Sequence, residues 1–282
     1  MIVGILAAIG FAGGVLVDKY ELSKRRIPVR TYVPLMFLTL CLFTGIALVI
    51  FQQPIMQYGT SLNFSYVFAF LAMILVALAW NLFYYRALMK ESLQEFDLIL
   101  LTEPLITIAM AGLLFRSERN ATVLLLALIA SITLVIAHMR RKKIKFDHYA
   151  KELILAIFLM SLEVMIIRYL LEVFSPIGLY FLRTFVVYLL VTAIYKPNYK
   201  TVKHADAAAI ALTAGFGVMQ MVLRYYGYEM GGVVITTLML LLGPLIVEMV
   251  SVSLLKEKVN IKTVSAFIVI AACVLFASVL GT

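Results

Sequence analysis

Four ionisable side chains lie deep inside runs of apolar residues: Glu103, Glu163, Arg183 and Glu248. Placing such a group in hydrocarbon costs about 2.5 to 3.5 kcal/mol even on lenient scales, so each one needs a partner: a counter-ion, a proton or a ligand. A buried carboxylate suits a cation, an amine or a proton, and a guanidinium suits a carboxylate through two parallel hydrogen bonds. Glu163 and Arg183 have two readings, a structural ion pair between neighbouring helices or a ligand site. Glu103 and Glu248 each lie within about one helical turn of a proline, Pro104 and Pro244. Proline lacks an amide hydrogen and clashes with the carbonyl four residues back, which is expected to free the carbonyls of Leu100 and Leu240 and kink both helices. A kink beside a carboxylate makes a cation, proton or amine site. The alternative is that the prolines are merely tolerated and Glu103 bonds to a neighbouring helix.

Polar stripes add candidates. Asn81, Tyr84 and Tyr85 recur at helical spacing next to Trp80, the only tryptophan, and Thr213, Gly217, Gln220 and Arg224 do the same later. Gln220 is the deeper candidate for substrate contact. Trp80, Asn81, Tyr84, Arg224 and Tyr225 are candidates for lining a cavity, although the tyrosines near helix ends also fit an interfacial aromatic belt. Gly10 with Gly14, and Ala211 with Gly215, have the small-xxx-small spacing of close helix packing. The charged stretches Arg116 to Arg119 and Lys256 to Lys258 read as solvated or capping groups at helix ends.

The elements that must position these groups follow from composition. The 282 residues are 64% hydrophobic and 14% charged, with a mean hydropathy of +1.04, against about 25% charged residues in soluble domains. This is the composition of an all-α integral membrane protein, a multi-pass chain in the cell membrane with the lipid bilayer as its main partner. Apolar runs bounded by charges, prolines or Gly/Asn clusters predict ten transmembrane helices, at 2–17, 32–51, 64–85, 93–115, 121–139, 150–171, 176–195, 206–226, 233–255 and 262–280. The first is expected to be a retained helix, since its apolar core lacks a basic leader.

The net charge of +9 does not point to nucleic acid, because the lysines and arginines cluster in short loops. Most fall in the loops after odd-numbered helices, which predicts those loops on the cytoplasmic side and both termini outside. Cys41 and Cys273 lie in apolar runs as packing residues, and His138, His148 and His204 lack metal-ligand spacing, so no metal or cofactor is expected.

The densest charge run, Arg140 to Lys151, divides the chain into two sets of five helices, 1–145 and 146–282. Tyr84-Tyr85 precedes Pro104 by about the distance at which Tyr225-Tyr226 precedes Pro244, and Glu118-Arg119 and Glu257-Lys258 follow at nearly equal spacing. Pro28, Val29 and Tyr32 stand opposite Pro176, Ile177 and Tyr180. An odd number of helices per unit makes the second copy enter the membrane from the opposite side, so the expected fold is two inverted five-helix repeats.

The stretches YYRALMKESLQEFDLILLTEPLITIAMAGLLFRSER and YYGYEMGGVVITTLMLLLGPLIVEMVSVSLLKEK carry a resemblance that extends over nearly the whole chain. Each resembles the pattern of the EamA-like branch of the drug/metabolite transporter superfamily: a small-residue turn, an apolar run, a proline, then a glutamate at the helix exit. Ser117 and Lys256 stand where that family has a glycine. The resemblance implies a secondary carrier for an amino acid or related amphipathic compound, with export the expected direction. It would work by alternating access, with or without coupling to protons, and would not be an enzyme. A nucleotide-sugar or lipid-linked-sugar translocator of the same fold is the alternative, disfavoured by the few basic residues beside the candidate cavity. An intramembrane enzyme is a third reading, against which stands the lack of H-E-x-x-H, G-x-S-x-G or Walker A patterns.

Overall fold

The computed structural model describes residues 2–24, 28–90, 93–138, 148–199, 202–247 and 261–280. They form α-helices α1 (Ile2–Lys24), α2 (Val29–Ile50), α3 (Phe64–Lys90), α4 (Leu93–Leu100), α5 (Glu103–Leu114), α6 (Ala121–His138), α7 (His148–Leu170), α8 (Pro176–Tyr195), α9 (His204–Leu240) and α10 (Ile261–Leu280), with a short 3₁₀ turn at Arg116–Glu118. Among the described residues six helices are long and apolar enough to cross a membrane, and the last of them, Asp206–Val247, has the length of two crossings.

Large apolar side chains point outward. Leu42, Phe68, Leu75, Leu125, Ile268 and Phe276 are each more than half exposed. In water such a surface would drive aggregation, but hydrocarbon is as apolar as leucine and leaves it neutral. Helices therefore associate through packing and internal polar contacts. α1 packs on α9, α3 on α7, α2 on α8 and α6 on α10, so the main pairings all join the first half of the chain to the second. The α1–α9 contact depends on missing side chains: a Cβ at Gly10 would lie 3.0 Å from the Gln220 amide nitrogen, and one at Gly13 would lie 2.6 Å from the Phe216 ring.

Sequence features set the helix ends. Ser175 caps α8 by accepting from the Gly178 amide at 3.1 Å, with Pro176 at the first helical position. Asn120 accepts from the amides of Thr122 and Val123 at 3.1 and 3.3 Å at the start of α6. The run expected as one helix over 93–115 is divided. α4 stops at Leu100, Leu101 and Thr102 form a turn, and α5 restarts at Glu103 with Pro104 in its first turn. Proline tolerates a first turn but not a helix interior, so the chain restarts the helix where a kink was expected. A second interruption falls at Leu241, just before Pro244.

The 42-residue segment Asp206–Val247 bends at Gly232, whose φ of 80° and ψ of 172° are open to glycine and costly for other residues. At the same end of the bundle the α2–α3 and α7–α8 loops are stitched together. Met56 and Phe174 form an isolated antiparallel bridge, Gln57 N donates to Val173 O at 2.8 Å, and Ser175 N donates to Ile55 O at 3.1 Å.

Candidate functional site

Two carboxylate–guanidinium pairs meet in the bundle interior. Glu163 of α7 and Arg183 of α8 are joined by Nε to Oε1 at 2.6 Å and Nη2 to Oε2 at 3.1 Å, and each residue is only 4% exposed. The Trp80 indole donates to Glu163 Oε2 at 2.6 Å from α3, and its ring lies 5.9 Å from the Arg183 guanidinium carbon. Glu163 thus accepts three hydrogen bonds, two of them charge-assisted in the parallel arrangement that only arginine offers.

The second pair is looser. Arg224 of α9 donates through Nη2 to Glu103 Oε1 at 3.1 Å, a single contact, and its Nε donates to the Tyr228 hydroxyl. Glu103 reaches this position because α5 restarts there, which puts its carboxylate in the first turn, where helix dipole and free amides favour negative charge. Thr107, one turn on, donates to Glu103 Oε1 at 3.1 Å. The Thr107 hydroxyl also stands 2.9 Å from that of Ser161, which lies two residues before Glu163 on α7. A chain of short polar contacts therefore runs from one ion pair toward the other.

Three tyrosines close the other side. Tyr225 is fully buried, with its ring centroid 5.5 Å from that of Tyr180 and 6.5 Å from that of Tyr228. Its hydroxyl has no hydrogen-bond partner among the described residues. An unpaired buried hydroxyl costs about 1 to 3 kcal/mol, so most proteins satisfy or replace it.

The structure unites Trp80, Glu103, Glu163, Arg183, Arg224 and Tyr225 out of the residues singled out from sequence. Tyr84 stands next to Trp80 in an edge-on contact at 6.0 Å. Asn81 turns its amide back to the Ala77 carbonyl at 2.8 Å, a contact within its own helix. Gln220 lies on the other flank, its backbone against Gly10. Glu248 lies outside the described residues, as do Lys256 to Lys258; Pro244 sits in the helical turn after Leu241. Among the described residues no group of histidine, cysteine and acidic side chains could hold a metal.

Tyr180, Tyr228, Thr107 and Ser161 are absent from the sequence-based candidates. Tyr228 was findable, since it lies four residues after Arg224 and so on the same helix face. Thr107 likewise follows Glu103 by four, whereas the approach of Ser161 depends on packing between α5 and α7.

Residues 152–279 match the sequence profile of the EamA-like transporter family, part of the drug/metabolite transporter superfamily. This stretch is similar to an EamA-like transporter domain. The EamA-like domain supplies Ser161, Glu163, Arg183, Arg224 and Tyr225, while Trp80, Glu103 and Thr107 come from the chain before it. No curated protein matches the sequence. A crystal structure is similar over 99% of this chain and 96% of its own, with a TM-score of 0.73 at 17% identity, which shows a shared fold. The match to a transporter family over this stretch and the long apolar helices together support a multi-pass membrane protein.

Proposed function

We propose that the protein is a secondary carrier for a small polar metabolite, an amino acid or a related amphipathic compound, which it exports by alternating access. The observation that supports this best is the fully buried Tyr225 hydroxyl, lacking a partner among the described residues, on a ring packed against Tyr180 and against Tyr228, the tyrosine that Arg224 bonds. A zwitterion offers one carboxylate and one ammonium, so it can exchange contacts with a neutral set of carboxylates and guanidiniums without leaving net charge in low dielectric. Of the two pairs, Glu103–Arg224 is the one that opens to the cargo, because it rests on a single contact. Gln220 on α9 and, by its place in the sequence after Pro244, Glu248 are further contacts proposed for the cargo. Proton exchange, if the carrier is coupled, belongs to Glu103.

In this reading the chain has ten membrane helices in two inverted repeats, 1–145 and 146–282, with α4 and α5 together as the fourth and α9 supplying the eighth and the start of the ninth. The helix pairing supports it. Exchanging each helix for its counterpart in the other repeat turns the α1–α9 contact into the α7–α3 contact and returns α2–α8 and α6–α10 to themselves. Repeats related in this way rock around a central site.

The test is uptake into proteoliposomes across a panel of amino acids, polyamines and nucleotide sugars, with and without a pH gradient. A zwitterion should cross faster than into empty vesicles. No faster solute in the panel would sink the carrier reading, and transport confined to nucleotide sugars would replace the cargo class.

A further inference from the structure

The glutamate after α5 does more than end a helix. Glu118 is only 9% exposed, and its Oε1 and Oε2 accept from the amides of Val233 and Val234 at 2.8 and 2.7 Å. Those amides open the helical segment that begins after the Gly232 bend, where the first turn of a helix has no partners of its own. The carboxylate therefore caps a helix of the opposite half of the chain. Gly232 leaves the room: a Cβ there would lie 3.0 Å from Glu118 Cδ. Arg168 Nε stands 4.0 Å from Glu118 Oε1.

Other polar contacts at this end also cross between the halves. Gln57 Nε2 donates to Glu229 Oε1 at 2.7 Å and to the Leu171 carbonyl at 2.9 Å. Glu229 is three residues before the bend, so Gln57 grips α9 on one side of Gly232 while Glu118 grips it on the other. Tyr66 donates to Glu172 at 3.2 Å and stacks on Tyr169 with centroids 4.9 Å apart. A carrier with this end sealed must break these contacts to open it.

Resting on the carrier reading, the geometry points to Glu118 as the latch of this end: with both amides engaged the end is shut, and releasing them lets α9 swing about Gly232. Bonds from backbone amides to a carboxylate suit a latch, because they are strong while water is excluded and are replaced by water once the end opens. Glu118 acts on the cargo only through α9, so it is a positioning residue.

The test needs no cargo. In protein carrying Cys41→Ala and Cys273→Ala, Thr237→Cys places a thiol on the buried stretch beyond the bend, where Thr237 is 1% exposed. Reconstituted vesicles are treated from each side in turn with a membrane-impermeant thiol reagent, and amide hydrogen exchange is followed at Val233 and Val234. Glu118→Ala and Glu118→Gln should raise labelling at least tenfold from the Gly232 side alone and speed exchange at both amides. A disulfide between Gln57→Cys and Glu229→Cys should reverse the labelling until it is reduced. Labelling that stays unchanged, or rises equally from both sides, overturns the latch, as does a Glu118→Gln protein that cannot fold. One-sided opening in a protein that carries no solute would leave the latch standing and remove the carrier.

Discussion

Arg224 Nη2 lies 3.1 Å from Glu103 Oε1, which ties the helix that restarts at Glu103 to α9 across 121 residues of chain. The two side chains are 12% and 11% exposed, so neither is fully solvated if the other is removed. Glu103→Gln and Arg224→Met should each lower stability by about 3 kcal/mol, the range for breaking a buried pair from one side. The double variant should lose clearly less than the sum, with a coupling of about 1 to 3 kcal/mol. Thermal unfolding in detergent, followed by Trp80 fluorescence, measures it. Strict additivity would show that the contact contributes nothing.

Arg183 is held differently. Its two parallel bonds to Glu163 need a planar fork, and lysine keeps the charge while losing one of them. Arg183→Lys should cost about 1.5 to 3 kcal/mol, the worth of one hydrogen bond to a charged group. It should also shift the emission of Trp80, whose indole donates to the same carboxylate. An unchanged spectrum would mean that the Glu163 carboxylate does not move when its partner is shortened.

Tyr225→Phe separates a ligand role from a packing role. The hydroxyl is buried without a partner among the described residues, so removing it should leave stability unchanged or raise it by about 1 kcal/mol. Uptake of the cargo should fall by about tenfold, the equivalent of one modest hydrogen bond of about 1.4 kcal/mol. A variant that transports normally would make the tyrosine a packing residue.

Gly178 sits where α8 passes the α2–α3 loop, and a Cβ there would lie 2.4 Å from the Ile55 carbonyl oxygen. Because the obstacle is backbone, Gly178→Ala should cost about 1 to 3 kcal/mol or more, the usual range for overpacking. Gly14→Ala is the control, since its Cβ would meet only the Phe216 side chain at 3.7 Å. Melting curves of the two variants side by side decide whether the stitched loop bears on stability.

Hydrophobic runs were long enough to locate helices, and the rarity of charge inside them pointed to Glu103, Glu163 and Arg183. Local chemistry also foretold a disturbance at Pro104, though as a kink and not as a full restart at Glu103. Arg224 was harder. From sequence it lay near a helix end, because nothing local says that Glu103 meets it there and leaves it buried. Glu118 was legible as a capping group but not as the cap of a distant helix. Its partners are two backbone amides, which have no residue signature, and only packing brings them together. The same holds for Ser161, whose partner Thr107 is 54 residues away.

The Glu118 cap has a consequence for the meaning of the boundary near residue 145. Without the second half, Glu118 would have no amides to engage; without the first, the segment after Gly232 would begin uncapped, and α7, α8 and α10 would each lose their main neighbour. Neither half of the chain is therefore a self-sufficient unit. Each half is unfinished alone, and the finished object is the pair.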